Sequence, residues 1–335
     1  MAETRGFDPA VVEDVRNAAK LIARIDEAVG RSIIGQQHLR KRLITALLTG
    51  GHILLEGVPG LAKTLSIKAL AGAVEGTFSR VQFTPDLLPA DITGSEVYRA
   101  ADGKFEVRRG PVFANFVLAD EINRAPAKVQ AALLETMQEK QVTIGDQTLR
   151  VPEPFLVLAT QNPVEQEGTY PLPEAQIDRF MIKVRIDYPT VEEEKKILDL
   201  IGGKKSAPNP ETLPPVATLA EIERAKQTAA SIYVDDRIKQ YIVNIVAATR
   251  RPEQFKLKLS QFIELGASPR AAISLFMTSR TEALFSGEHF VVPQNIKDVA
   301  YDVLRHRMIL SYEAEAQGVG ADEIIKMILD AVPVP

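Results

Sequence analysis

Gly57-Val58-Pro59-Gly60-Leu61-Ala62-Lys63-Thr64 stands between the apolar run Ile53-Leu54-Leu55 and a helix-forming stretch from Leu65 to Ala73. Few folds accommodate that order of strand, glycine-bearing turn, Lys-Thr and helix. The strand delivers the chain to the turn, the turn points successive backbone N–H groups inward, and the helix aims its positive end at the same anion. Such a cradle fits phosphate. Residues 57–65, from Gly57 to Leu65, would line a nucleotide, with Lys63 reaching its β- and γ-phosphates and the Thr64 hydroxyl a Mg²⁺. The usual spacing places glycine directly before the lysine. Here Ala62 stands there, and a methyl is tolerable if that residue is right-handed helical. A loop capping an ordinary strand–helix unit is the plainer alternative.

The order of elements around this loop predicts an α/β fold. Helical spacing of Val11, Val12, Val15, Ala18, Leu21, Ile22 and Ile25 predicts a helix over 9–29, and a second runs from about Gln37 to Leu48. Strands are expected at 52–56, 78–83, 112–118, 155–159 and 180–186, with helices at 126–140, 173–178 and 192–201 between them. Interleaving of this kind implies a five-stranded, mostly parallel sheet with helices on both faces. Alternating runs about Asp102-Gly103 and Gly145-Asp146 predict inserted hairpins at about 91–109 and 141–151. The stretch 203–216, with its prolines, glycine and lysines, reads as a linker between a core at 1–202 and a helical domain at 217–335. Helices are expected there at 219–231, 235–249, 269–286, 294–310 and 321–331.

Composition removes other chemistries. With 335 residues and no cysteine, the chain has room for two domains but no disulfide, thiolate nucleophile or Cys-based zinc site. His38, His52, His289 and His306 lack ligand spacing and are expected to be ordinary packing or surface residues. A formal net charge of −4 gives no overall cationic field for nucleic acid. Residues 1–6 lack the pattern of an export signal, and no apolar run approaches a membrane span, so a cytoplasmic location is the expectation.

Candidate reacting groups fall at strand ends, where open α/β sheets put their ligands. Asp120 and Glu121 close the strand near 112–118; Asp120 would help hold Mg²⁺ and Glu121 would polarise the attacking water. A charged pair ending a strand is also common without function. Asn162 ends the next strand and is suited to touch both the γ-phosphate and the water without adding charge. Arg179, at a strand edge, is a candidate for a neighbour's γ-phosphate, with an internal pair to Asp178 or Glu174 as the alternative. Arg270 follows Ser268-Pro269, an N-cap and first-turn proline, so it opposes the helix dipole unless an anion compensates. Bound phosphate and Glu264 are both candidates for that anion.

Together with Gly57–Thr64, the segments Leu118-Ala119-Asp120-Glu121-Ile122-Asn123-Arg124-Ala125-Pro126, Ala159-Thr160-Gln161-Asn162-Pro163, Pro173-Glu174-Ala175-Gln176-Ile177-Asp178-Arg179-Phe180 and Gly266-Ala267-Ser268-Pro269-Arg270 closely resemble the MoxR family of AAA+ ATPases. The resemblance covers nearly the whole chain, and alanine before the lysine looks like the family's own variant. It implies a Walker A lysine and threonine at Lys63 and Thr64 and a Walker B pair at Asp120 and Glu121. Sensor 1 would be Asn162, the arginine finger Arg179 and sensor 2 Arg270. Ile33-Ile34-Gly35-Gln36 resembles the segment lying against adenine, so Ile34 and Gly35 join the nucleotide-binding set. ATP, ADP and Mg²⁺ are the implied ligands. The 217–335 region would be the lid, and both hairpins would face the centre of a ring, expected to be a nucleotide-dependent hexamer. The implied work is chaperone-like remodelling or maturation of protein clients, often with a von Willebrand factor A partner and sometimes for cofactor or metal insertion. No D-x-S-x-S site of that partner occurs here, so it would be a separate chain. A chelatase-like or nucleic-acid-directed motor, and a switch whose nucleotide state governs partner binding, are the competing readings; no nucleic-acid partner is expected.

Overall fold

The computed structural model describes residues 9–57, 63–101, 103–162, 169–202 and 214–335. The loop positions Val58, Pro59, Gly60, Leu61 and Ala62, and most of the expected linker, lie outside the described residues. Two long helices open the chain, α1 (Pro9–Ser32) and α2 (Gln37–Thr49). There follow β1 (Ile53–Glu56), α3 (Lys63–Ala73), β2 (Phe78–Gln82), α4 (Pro89–Thr93) and the paired strands β3 (Gly94–Arg99) and β4 (Lys104–Arg109). Next are β5 (Phe116–Asp120), α5 (Ala127–Glu139), the pair β6 (Gln141–Ile144) and β7 (Gln147–Arg150), and β8 (Leu156–Gln161). The short α6 (Glu174–Ile177), β9 (Ile182–Arg185) and α7 (Val191–Gly202) complete this half.

Five strands form one sheet in the order β2-β5-β8-β1-β9, and the β2–β5, β5–β8 and β8–β1 pairs run parallel. Strand residues point to alternate faces, which decides what covers them. Val117, Ala119, Val157 and Ala159 pack with Val129, Leu133 and Met137 of α5 in one apolar cluster. Phe116, Leu118, Leu156 and Leu158 point the other way and are equally buried, with α3 packed against β5. Burial on both faces explains why these strands read as continuous apolar runs.

The remaining helices are α8 (Leu219–Ser231), α9 (Asp236–Arg250), α10 (Pro269–Phe285), α11 (Pro293–Leu304), α12 (Tyr312–Ala316) and α13 (Ala321–Ala331). A small antiparallel pair, β10 (Ile263–Leu265) and β11 (Ile309–Leu310), lies among them. Residues divide into two compact units, one of 24–180 and 184–222, the other of 9–23, 181–183 and 223–335.

Several boundaries differ from the sequence expectation for local reasons. The strand expected from Val112 starts only at Phe116, because Gly110-Pro111 begins a turn in which Phe113 N–H donates to the Gly110 carbonyl. The helix expected over 294–310 stops at Leu304, and Ile309-Leu310 pair with the 263–265 strand instead. The hairpin expected from about 91 starts at Gly94, because Pro89 to Thr93 form a turn of helix, closed by the Asp91 carboxylate accepting from Leu88 N–H at 2.8 Å.

Candidate functional site

Gly57, the Asp120-Glu121 pair and Asn162 lie at the C-terminal ends of β1, β5 and β8. Gly57 leaves β1 beside the backbone of Ile186; a Cβ there would stand 2.9 Å from the Ile186 carbonyl oxygen, so a side chain is excluded at the first glycine of the cradle. Lys63 opens α3, and its Nζ donates to the Gly57 carbonyl. Burial pulls the Lys63 pKa below its ordinary value, against the attraction of Asp120, Glu121 and Glu56. A half-buried ammonium facing these carboxylates is a site built around charge. Thr64 and Leu65 follow in the first turn of α3, both half-buried.

Asp120 is the last residue of β5 and Glu121 the first beyond it. Glu121 adopts φ 56°, ψ 51°, a left-handed conformation that costs an ordinary residue roughly 1–2 kcal/mol. The buried Thr160 of β8 supports this turn: its hydroxyl donates to Asp120 Oδ1 at 2.7 Å and accepts from Glu121 N–H at 2.8 Å. Asp120 Oδ2 receives two N–H groups of Arg80, at 2.6 and 3.2 Å. Glu121 Oε2 receives Gln82 Nε2 at 2.8 Å and lies 3.2 Å from Arg124 Nε. The Gln82 amide also accepts from Arg80 at 3.0 Å, which ties the two carboxylates together. Asn162 is buried directly after β8.

Sequence reasoning missed Arg80, Gln82 and Thr160. Arg80 and Gln82 alternate on one face of β2, and Gln82 stands in register with Asp120. Two polar residues at i and i+2 of a strand beside an acidic strand end were the available signal.

Mg²⁺ suits this donor set. One hydroxyl, from Thr64, and one carboxylate, from Asp120, would leave the other positions to phosphate and water, which that ion prefers. Among the described residues no cluster of three or more His, Cys, Asp or Glu offers a cage held by protein alone.

Of the remaining candidates, Ile34 is half-buried and Gly35 has φ 67°; a Cβ at Gly35 would meet Glu193 of α7 at 2.3 Å. The Gly35 carbonyl accepts from Arg40 at 2.8 Å. Arg179 is half-buried and donates to the Leu134 carbonyl of α5 at 3.1 Å, rather than pairing with Asp178 or Glu174 through a described bond. It borders a cleft of about 280 Å³ that Glu135, Glu139 and Gln176 also line. In the second unit, Arg270 is exposed in the first turn of α10, whose Ser268 side chain caps the Arg270 N–H at 3.1 Å with Pro269 between them.

Among the histidines, His52 is a core packing residue. It is buried, its Nδ1 accepts from Val157 N–H at 3.0 Å and its Nε2 lies 3.2 Å from the Met137 carbonyl, so the Nε2–H tautomer satisfies both bonds. Burial lowers its pKa to about 4. It joins β8 to α5 behind the site and has no reactive role.

A lysine behind the first strand of a parallel sheet, an Asp-Glu pair ending a neighbouring strand and a separate helical unit define an AAA-class ATPase fold. Residues 52–182 match the ATPase family associated with various cellular activities, and 258–328 match an AAA lid domain. The chain is 45% identical to a protein named Chaperone MoxR1 of Mycobacterium tuberculosis, over 98% of this chain and 86% of that one. It is also 30% identical to Protein MoxR of Methylorubrum extorquens, over 97% of this chain and 98% of that one. A solved structure from Cytophaga hutchinsonii, provisionally described as an ATPase, superposes with a TM-score of 0.90 at 47% identity, covering 96% of this chain and 97% of its own. This chain belongs to the MoxR family of AAA ATPases.

Proposed function

We propose that the chain hydrolyses ATP to ADP and phosphate and uses the cycle, in a ring of its own copies, to remodel or mature partner proteins. The observation that supports this most is the buried Thr160 hydroxyl, which fixes Asp120 and the left-handed Glu121 together at the sheet edge facing Lys63. Strain retained at one acidic residue and supported by a neighbouring strand is characteristic of positioned chemistry. The helical unit would be the lid, with the core taken as 1–202 and the linker as 203–216.

In this reading the loop 57–62 and the start of α3 grip the triphosphate, and Lys63 neutralises its β- and γ-phosphates. Ile34 and Gly35 border the base. Glu121 Oε accepts the proton of the attacking water, with Gln82 fixing the carboxylate's orientation. Asn162 orients the same water. Thr64 and Asp120 would hold Mg²⁺, which when bound neutralises charge on the transferring phosphoryl group. Arg179 of an adjoining copy supplies positive charge to the γ-phosphoryl, and Arg270 reports nucleotide state to the lid.

A hexamer, a cytoplasmic location, a separate von Willebrand factor A partner, and cofactor or metal insertion as the purpose of the work belong to the same proposal. The relative named as a chaperone supports its protein-directed part. Glu121→Gln tests the core: ATP binding is retained and steady-state turnover falls by about 10²-fold or more. Turnover close to wild type in that variant would overturn the assignment. Capture of protein clients by the ATP-loaded Glu121→Gln form tests the rest, and a form that retains nucleotide but no protein would count against remodelling.

A further inference from the structure

Asp120, the carboxylate that would help hold Mg²⁺, already has three of its roughly four acceptor positions filled. Each carboxylate oxygen offers about two acceptor positions. Arg80 fills both of those on Oδ2, at 2.6 and 3.2 Å, and the Thr160 hydroxyl takes one on Oδ1 at 2.7 Å. The carboxylate is mostly buried, with 16% of its side chain exposed, whereas the arginine is 47% exposed and can swing into solvent. One side chain is therefore anchored and the other is free to leave. A guanidinium bonded twice to one oxygen neutralises much of the charge by which a divalent cation would be attracted, directly or through a bound water.

We propose that Arg80 is a resident counter-cation that competes with Mg²⁺ for Asp120, so that loading of the metalated nucleotide displaces it. The inference rests on the site reading above and concerns a residue that reading does not use. Gln82 extends its consequence. Its amide oxygen accepts from Arg80 and its amide nitrogen donates to Glu121 Oε2, so departure of Arg80 frees one half of the group that positions the candidate base. Arg80 is a positioning residue in this sense and touches no reacting atom.

The experiment measures the affinity of a fluorescent ADP analogue with excess Mg²⁺ and with EDTA, and takes the ratio as the factor by which Mg²⁺ tightens the nucleotide. Turnover does not enter this readout. Arg80→Gln should raise the ratio by roughly five- to tenfold, the size expected from removing one charge-assisted contact. Arg185→Gln is the charge control: Arg185 pairs with Glu56 at 3.2 Å instead of Asp120, and its loss should move the ratio less than about twofold. In an Asp120→Asn background, Arg80→Gln should have little further effect, because the carboxylate for which it competes is gone. An unchanged or lowered ratio in Arg80→Gln overturns the inference, as does an equal rise in the Asp120→Asn background or in Arg185→Gln. A wild-type chain that binds the analogue equally with and without Mg²⁺ overturns the metal assignment and this inference together, whereas wild-type tightening with no Arg80 effect overturns this inference alone.

Discussion

At the scale of single residues, the site concentrates its cost in one turn. Glu121 holds a left-handed backbone that its side chain disfavours, and Thr160 supplies the bond that its N–H would otherwise lack. Thr160→Val keeps the volume and removes the hydroxyl, leaving Asp120 Oδ1 and Glu121 N–H each short of a partner. The expected loss is about 1–3 kcal/mol of stability, read from urea unfolding, with a larger proportional loss of turnover than of nucleotide affinity. Glu121→Gly should do the opposite to stability, relieving roughly 1–2 kcal/mol of backbone strain against about 0.5–1 kcal/mol of added chain entropy, while abolishing hydrolysis. A variant that is both less stable and still active would show that the turn is a structural feature and the carboxylate incidental.

At the scale of elements, His52 connects the start of β1 to α5 and β8, and its environment fixes a pH window. The unfolded chain binds a proton at His52 near pH 6.5, whereas in the folded chain burial delays this to about 4. Between those values the unfolded state carries more protons, so stability is full above about 6.5 and declines as the pH falls towards 4. The loss reaches roughly 3 kcal/mol from this group. Comparing urea unfolding of wild type and His52→Asn at several pH values checks this: the variant should lack that part of the slope, and parallel curves would remove His52 as the cause. The lack of ligand spacing marked His52 only as an ordinary packing or surface residue, because a buried ring is recognised by its partners, and Met137 and Val157 are distant in sequence. The core strands and α5 were legible because burial on both faces, or on one stripe, leaves a pattern in the chain itself. The partnership of Arg80 and Gln82 with Asp120 was not legible, since it depends on β2 lying beside β5, a choice of strand order that no local pattern records.

At the scale of the whole molecule, the decisive question is whether one copy completes the site of the next. Arg179 lies at the surface of its own unit, half-buried and bonded to the Leu134 carbonyl, with a cleft beside it. A single bond to a backbone carbonyl is a modest restraint, on the order of 1–2 kcal/mol for a charged donor, and contact with a neighbour's phosphate would exceed it. Head-to-tail contacts between copies of one chain form a ring when their rotation closes, and in the proposed ring a residue on one face would meet the nucleotide bound by the next copy. Arg179→Ala should retain its nucleotide and lose turnover, and Lys63→Ala should lose the nucleotide yet still present Arg179. Each variant alone is then inactive. In an equal mixture, roughly one interface in four joins an intact phosphate cradle to an intact arginine, and ATPase activity should return towards that fraction of wild type. Remixing must allow exchange of subunits, which light scattering or a tagged pull-down can verify in the same samples. Recovery would assign Arg179 to its neighbour's site, whereas exchanged but inactive mixtures would return it to a structural role against α5 and leave each copy to hydrolyse alone.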